Sequence, residues 1–284
     1  FAAAEQPQAT VSRVMQKVRI SCGAAQAEAH HHGAHLTSWT VGGKELIFVS
    51  SQAVYKPPKA IRGGIPICFP QFSDFGDCGQ HGFARNSEWT LVEAKDAEAT
   101  FSLKGQGVDQ WKHAFEASFV VSLDELGALT TKLLVKNPGD KPFTFTVALH
   151  TYFSVSAIDS ATVVGLQGCK YLDSLEARVE KTDEEPAVKF GGEVDRIYMN
   201  TDDELRICDS AENRTVVLKK SNLPDAVVWN PWIEKSQRMG DFGDEEYKVM
   251  LCVEAGAIKS PVTVEPGAEW AGSQTLSLLS NGNV

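Results

Sequence analysis

Strand-length runs separated by turn chemistry about every ten residues, with almost no sustained helical periodicity, leave this chain few ways to fold. Glu88-Trp-Thr-Leu-Val92, Ala117-Ser-Phe-Val-Val-Ser122, Ala128-Leu-Thr-Thr-Lys-Leu-Leu-Val135 and Thr215-Val-Val-Leu218 are short and rich in β-branched or aromatic residues. Between such runs stand Lys104-Gly-Gln-Gly107, Asn137-Pro-Gly-Asp140 and Glu265-Pro-Gly267. The pattern predicts an all-β sandwich or barrel, with helix limited to short turns near Ser221–Pro224 and around Asp173. No linker-like shift in composition and no internal repeat divides the chain, so one domain is expected over 18–284. An Ala- and Gln-rich segment, 1–17, is expected to be poorly ordered, and the acidic stretch from Glu176 to Glu185 to be a solvated loop.

With 43% hydrophobic residues over 284 positions, the chain can bury a substantial core. A net charge of −10 argues against non-specific attraction to nucleic acid or anionic membrane. No apolar run approaches the roughly 18 residues of a membrane span. Cysteines 22, 68, 78, 169, 208 and 252 show no C-x-x-C spacing, which fits a reducing compartment. The chain begins at Phe1 and reads as a processed or truncated product, expected in the cytoplasm or a plastid.

Two segments mark irregular backbone where side chains converge: Arg62-Gly-Gly-Ile-Pro-Ile-Cys-Phe-Pro70 and Gly79-Gln-His-Gly-Phe-Ala-Arg85. Arg62 and Arg85 suit an oxyanion, since each guanidinium offers a planar fork of donors; pairing with surface carboxylates is the alternative. Strand alternation in Lys141–Phe153 sets Phe143, Phe145, Val147 and Leu149 on a core face. It sets Thr144, Thr146, Ala148 and His150 on a small, polar face suited to a wet cleft. His150 is then either a cleft residue or a structural hydrogen-bonder.

In Tyr247–Gly256, Val249, Leu251 and Val253 share one face, and Met250, Cys252 and Glu254 the other. Glu254 among apolar neighbours is a desolvated carboxylate useful as a general base, or the partner of an arginine. Asp195 either accepts hydrogen bonds from a sugar hydroxyl or caps a turn. Trp229-Asn-Pro-Trp232 reads as an aromatic loop able to stack on a pyranose, or as core. His30-His-His-Gly-Ala-His35 does not make a metal site on extended backbone, because adjacent side chains diverge; no function attaches to His30, His31 or His32. The P-loop, dinucleotide, G-x-S-x-G and H-E-x-x-H patterns are missing, so neither metal nor cofactor is expected.

Gly33-Ala-His-Leu-Thr-Ser-Trp39, Arg62-Gly-Gly-Ile-Pro66, Gln80-His-Gly-Phe-Ala-Arg85, His150-Thr-Tyr-Phe153, Asp195-Arg-Ile-Tyr198, Trp229-Asn-Pro-Trp232 and Glu254-Ala-Gly256 follow one another in an order that resembles the aldose 1-epimerase superfamily. Within it, they look like the glucose-6-phosphate 1-epimerase (hexose-6-phosphate mutarotase) branch. Each motif is short; seven in the same order, from about Val18 to Leu278, are specific. The resemblance implies a galactose mutarotase-like β-supersandwich with its site on a concave sheet face. It implies His150 as catalytic acid and Glu254 as catalytic base. Arg62, Gln80, Arg85 and Asp195 fall on substrate-binding positions, with His81 a further sugar contact and Trp229 beside them.

The substrate implied is a hexose 6-phosphate, near −2 at neutral pH, which gives two arginines a purpose that a neutral sugar would not. A monomer acting without nucleic acid, membrane or cofactor is expected. Glu254 would deprotonate the anomeric hydroxyl while His150, charged, protonates the ring oxygen. Three alternatives stand beside this: an epimerase of neutral aldoses, a sugar-phosphate binding module without activity, and a glycoside hydrolase. The last fits poorly, since that chemistry calls for two flanking carboxylates rather than His and Glu.

Overall fold

The computed structural model of the chain describes residues 15–108 and 110–279. The segment 1–17 expected to be poorly ordered lies mostly outside them, and Lys17 already opens the first strand. Two large antiparallel sheets dominate. The nine-stranded sheet runs, edge to edge, through Ala187–Val188, Ala161–Val164, Glu204–Asp209, Arg214–Ser221, Glu269–Leu279, Leu129–Lys136, Phe115–Leu123, Glu98–Gly105 and Thr90–Ala94. The eight-stranded sheet runs through Val179–Thr182, Lys170–Asp173, Val194–Met199, Asp225–Asn230, Met250–Val264, Phe143–Leu149 and Ile67–Cys68, with Tyr152–Ser154 added against Met250–Val264. A smaller four-stranded sheet begins the described chain, from Lys17–Cys22 to Lys44–Glu45.

Alternation explains why the large sheets face one another. Phe115, Ala117, Phe119, Val121 and Leu123 point inward from one sheet; Phe143, Phe145, Val147 and Leu149, with Leu251, Val253 and Ala255, point inward from the other. All belong to one continuous core, in which burying a side chain such as Phe119 contributes about 1.5–3 kcal/mol. The outer face of the eight-stranded sheet carries two smaller apolar clusters. One joins Cys68, Phe72, Ala148, Ile197, Val227 and Ile258; the other joins Phe48, Tyr152, Trp229, Phe242, Tyr247, Met250 and Cys252. Polar residues on this face sit between two dry patches.

Several local expectations need correction. Thr144 and Thr146 do not wall a cleft: Thr144 is exposed, and buried Thr146 accepts the Phe72 backbone N–H at 2.8 Å, where the register shifts between Phe145 and Val147. Val249 leaves the core face because Glu246–Val249 is a 3₁₀ turn preceding the strand. A short 3₁₀ turn does follow Asp173, whose side chain accepts from the Leu175 N–H, but Ser221–Pro224 contains no helix. The α-helix is instead Trp232–Arg238. The acidic stretch is no loop throughout, since Val179–Thr182 pairs with Lys170–Asp173 and Asp183 is buried against the Tyr198 hydroxyl at 2.6 Å. All six cysteines are free. Among the described residues no helix is long and apolar enough to cross a membrane.

The Arg62-Gly-Gly turn is locked from behind. Buried His35 bonds the Gly63 carbonyl through Nε2 at 2.7 Å, and desolvation drives its pKa down to about 3, so it donates as a neutral ring. Gly64 sits at φ +69°, and a Cβ there would lie 2.2 Å from the Leu36 carbonyl oxygen and 2.5 Å from His35 Nε2. Gly64→Ala is therefore expected to lower stability by more than about 2 kcal/mol, through left-handed strain and backbone overlap together. Chemical denaturation checks this; a variant as stable as the parent would mean that the turn relaxes freely.

Candidate active site

The outer face of the eight-stranded sheet opens into a cavity of about 400 Å³. Its lining includes every candidate named from sequence: Arg62, Gln80, His81, Arg85, His150, Asp195, Trp229 and Glu254. Strand register explains the convergence. Tyr152 and Trp229 both pair with Cys252, and Asp195 pairs with Trp229, which aligns four strands in one row. Glu254 pairs with Val227 and Val227 with Ile197, forming the next row on the same face. His150 lies just past the end of the strand Phe143–Leu149, where its backbone N–H bonds the Pro66 carbonyl at 3.0 Å.

There His150 Nδ1 stands 3.3 Å from Glu254 Oε1. The imidazole is stacked on Tyr152, with ring centres 4.8 Å apart and planes 10° from parallel, and meets Trp229 and His81 edge-on at 6.0 and 5.4 Å. Trp229 belongs to the strand Asp225–Asn230 rather than to an aromatic loop, and is buried. The neighbouring Asn230 fixes the chain reversal instead. Its amide donates to the Tyr247 and Met250 carbonyls at 2.9 Å each, and its oxygen accepts the Trp232 N–H.

The two sequence-predicted arginines differ. Arg62 donates to Asp241 at 3.1 Å and to the Tyr152 hydroxyl at 3.2 Å, so its charge is partly met, by a carboxylate that Lys59 Nζ also approaches at 3.5 Å. Arg85, on the 3₁₀ turn Ala84–Asn86, donates to the Gln80 carbonyl at 2.9 Å and makes no ion pair among the described residues. Its buried Nε has no hydrogen-bond partner. Asp195 lies 3.4 Å from Lys235 Nζ, which also holds Glu193 at 2.9 Å. His81 accepts the Ser73 N–H at Nδ1, leaving Nε2 as its N–H donor; burial, then Arg85 and Arg62, lower its pKa to about 3. Tyr152, Lys235, Asp241 and Arg178 were not singled out from sequence. Only Tyr152 carried a signal, as part of His150-Thr-Tyr-Phe153.

Burial pushes the Glu254 carboxyl well above the usual range, and nearby Asp195 adds to this against the pull of Arg85. Burial also holds His150 well below its ordinary value, helped by His81, Arg85 and Arg62. The charged imidazole expected from sequence is thus disfavoured, because cations crowd the ring and water is excluded. Both shifts favour the uncharged forms, a neutral imidazole beside a protonated carboxyl. His150 Nδ1 and Glu254 Oε2 are buried without hydrogen-bond partners, so a ligand that supplies hydroxyls would satisfy both.

A carboxyl with a raised folded pKa contributes most to stability below its unfolded value near 4.5, and that contribution is lost as pH rises through the folded pKa. Glu254→Gln removes this loss. The variant is expected to match the parent near about pH 5 and to exceed it by about 1–3 kcal/mol near pH 8. Denaturation at both pH values checks the sign; an advantage confined to the acid side would show that the carboxylate is well solvated.

The aldose 1-epimerase family profile matches residues 16–277. The chain is 43% identical over 280 residues to a protein of Cenchrus ciliaris named "Putative glucose-6-phosphate 1-epimerase", covering 94% of this chain and 84% of that one. A protein of the same name from Escherichia coli (strain K12) is 35% identical over 233 residues, covering 78% and 76%. Among solved structures, a "putative mutarotase" of Salmonella typhimurium superposes with a TM-score of 0.84 at 28% identity, covering 94% and 91%. The all-β architecture, the cavity on the outer sheet face and these likenesses agree: the chain belongs to the aldose 1-epimerase family.

Proposed function

We propose that this enzyme interconverts the α and β anomers of hexose 6-phosphates, chiefly glucose 6-phosphate, with His150 and Glu254 as the proton-transfer pair. The observation that carries the reading is Arg85: a cation without an ion-pair partner among the described residues, lining the cavity that holds a buried His–Glu pair. Leaving such a charge unmatched in a partly desolvated site is costly, and a dianionic phosphoryl group would match it. The names of the two relatives support the same substrate class.

Ring opening needs a proton removed from the anomeric hydroxyl and one delivered to the ring oxygen. In the less populated form, with the pair's proton on His150 rather than on Glu254, Glu254 takes the first and His150 gives the second, the C1–O5 bond breaks, and an open-chain aldehyde forms. Rotation about C1–C2 presents the other carbonyl face, and closure with the transfers reversed yields the opposite anomer. Since the pair holds one proton before and after, no exchange with solvent is required. Asp195 and His81 are positioned to accept from and donate to sugar hydroxyls. Action as a monomer is part of this proposal.

Exchange between the anomers of glucose 6-phosphate, followed beside free glucose, tests the reading. Glu254→Gln and His150→Asn are expected to slow exchange by about 10²–10⁴-fold. Arg85→Ala is expected to weaken apparent affinity for glucose 6-phosphate by roughly ten- to a hundredfold, while barely changing use of free glucose. Equal losses on both sugars would make Arg85 structural and move a neutral-sugar epimerase ahead. Binding of the phosphosugar without any exchange would leave a non-catalytic binding module.

A further inference from the structure

Directly beside the pair, on the same strand face, lies a group that the proton-transfer chemistry does not use. Cys252 precedes Glu254 by two residues, so both side chains leave the outer face of the sheet. Its sulfur, a His150 ring nitrogen and a Glu254 oxygen all lie within 4.8 Å of one another, and all three residues are buried. Among the described residues no other group of three His, Cys, Asp or Glu converges in this way. The histidines at 30–32 do not: His30 faces Glu28, while His32 bonds the Lys59 carbonyl.

We infer that His150, Cys252 and Glu254 form an inhibitory site for a thiophilic divalent cation such as zinc. A tetrahedral zinc ion stands about 2.0–2.1 Å from nitrogen and oxygen and 2.3 Å from sulfur, which puts ligand atoms roughly 3.3–3.6 Å apart. The 3.3 Å between His150 Nδ1 and Glu254 Oε1 already matches one edge; the sulfur lies within 4.8 Å of both other atoms, so the remaining edges would have to shorten by up to about 1.3 Å. Among the described residues His150 Nδ1 and Glu254 Oε2 are buried without hydrogen-bond partners, so a cation that displaces the carboxyl proton meets no competing donor there. Three protein ligands leave a fourth position towards the cavity. One thiolate with one imidazole selects zinc, cobalt or cadmium over magnesium or calcium.

Binding as thiolate and carboxylate releases two protons to solvent, one from Cys252 and one from Glu254. Occupancy would tie up both groups of the proton-transfer pair at once. Inhibition therefore rests on the proposed function, whereas coordination does not.

Cobalt(II) titrated into the intact chain reads coordination by itself. A thiolate-to-cobalt charge-transfer absorption is expected, displaced by zinc, unaffected by magnesium, and lost in Cys252→Ser and Cys252→Ala. In the exchange assay with buffered free zinc, the parent is expected to be inhibited reversibly, with protection by substrate. The cysteine variants, which keep their basal exchange, should require roughly a hundredfold more zinc, since loss of even an outer partner of a ligand costs about 10–100-fold. No thiolate band in the parent would overturn the proposal, whatever the variants do. A band that persists in both variants would overturn it equally. A Cys252-dependent band in a chain without exchange activity would leave the site standing and remove the proposed function instead.

Discussion

The strand Met250–Val264 sets the geometry on which everything else depends. It pairs with Asp225–Asn230 along one edge and with Phe143–Leu149 and Tyr152–Ser154 along the other. Its alternation sends Leu251, Val253, Ala255 and Ala257 into the main core and Met250, Cys252 and Glu254 to the outer face. A slip of one residue would drive Glu254 into the core and turn Val253 outward, so apolar burial itself holds the carboxylate in the cavity. The stability of the sandwich and the placement of the site share one cause.

The electrostatics follow from that placement. A carboxyl and an imidazole held 3.3 Å apart in a nearly dry pocket each resist charging, and the surrounding cations push the imidazole further in the same direction. Arg62 is held by Asp241 and Tyr152, which makes it a rigid wall beside the stacked His150–Tyr152 pair. Arg85 keeps its charge available for what enters. An acidic chain, at net charge −10, thus gathers Arg62, Arg85, Arg178 and Lys235 around one cavity, where the proposed function requires an anion to bind.

The contacts of the short motifs divide them into site and scaffold. His35 secures the Gly63 carbonyl behind the arginine turn, and Trp39 donates to the Gly127 carbonyl at 3.0 Å, so Gly33–Trp39 is structural. The Asn-Pro pair after Trp229 closes a turn and starts the helix Trp232–Arg238, whose Lys235 reaches back to Asp195. Lys235 on the helix and Met239 just after it form one border of the cavity. Arg178, over the Phe75 ring at 4.4 Å and paired with Asp74, forms part of another.

What the sequence by itself determined was whatever depends on neighbours along the chain. Period-two alternation in Phe143–Leu149 and Leu251–Ala255 fixed which side chains enter the core, and Gly, Pro and Asn clusters fixed where strands end. The order of short motifs also carried the family and the eight cavity residues. Only the tertiary structure decided the partners. That Arg62 is paired with Asp241, that Lys235 answers Asp195, and that Thr146 lies under Phe72 all rest on contacts between residues far apart in sequence. The same holds for the sense in which burial biases His150 against its charge. Local periodicity reports the face from which a side chain leaves the backbone. It carries no information on what meets that side chain, because solvent exclusion and charge pairing are set by the packed surroundings.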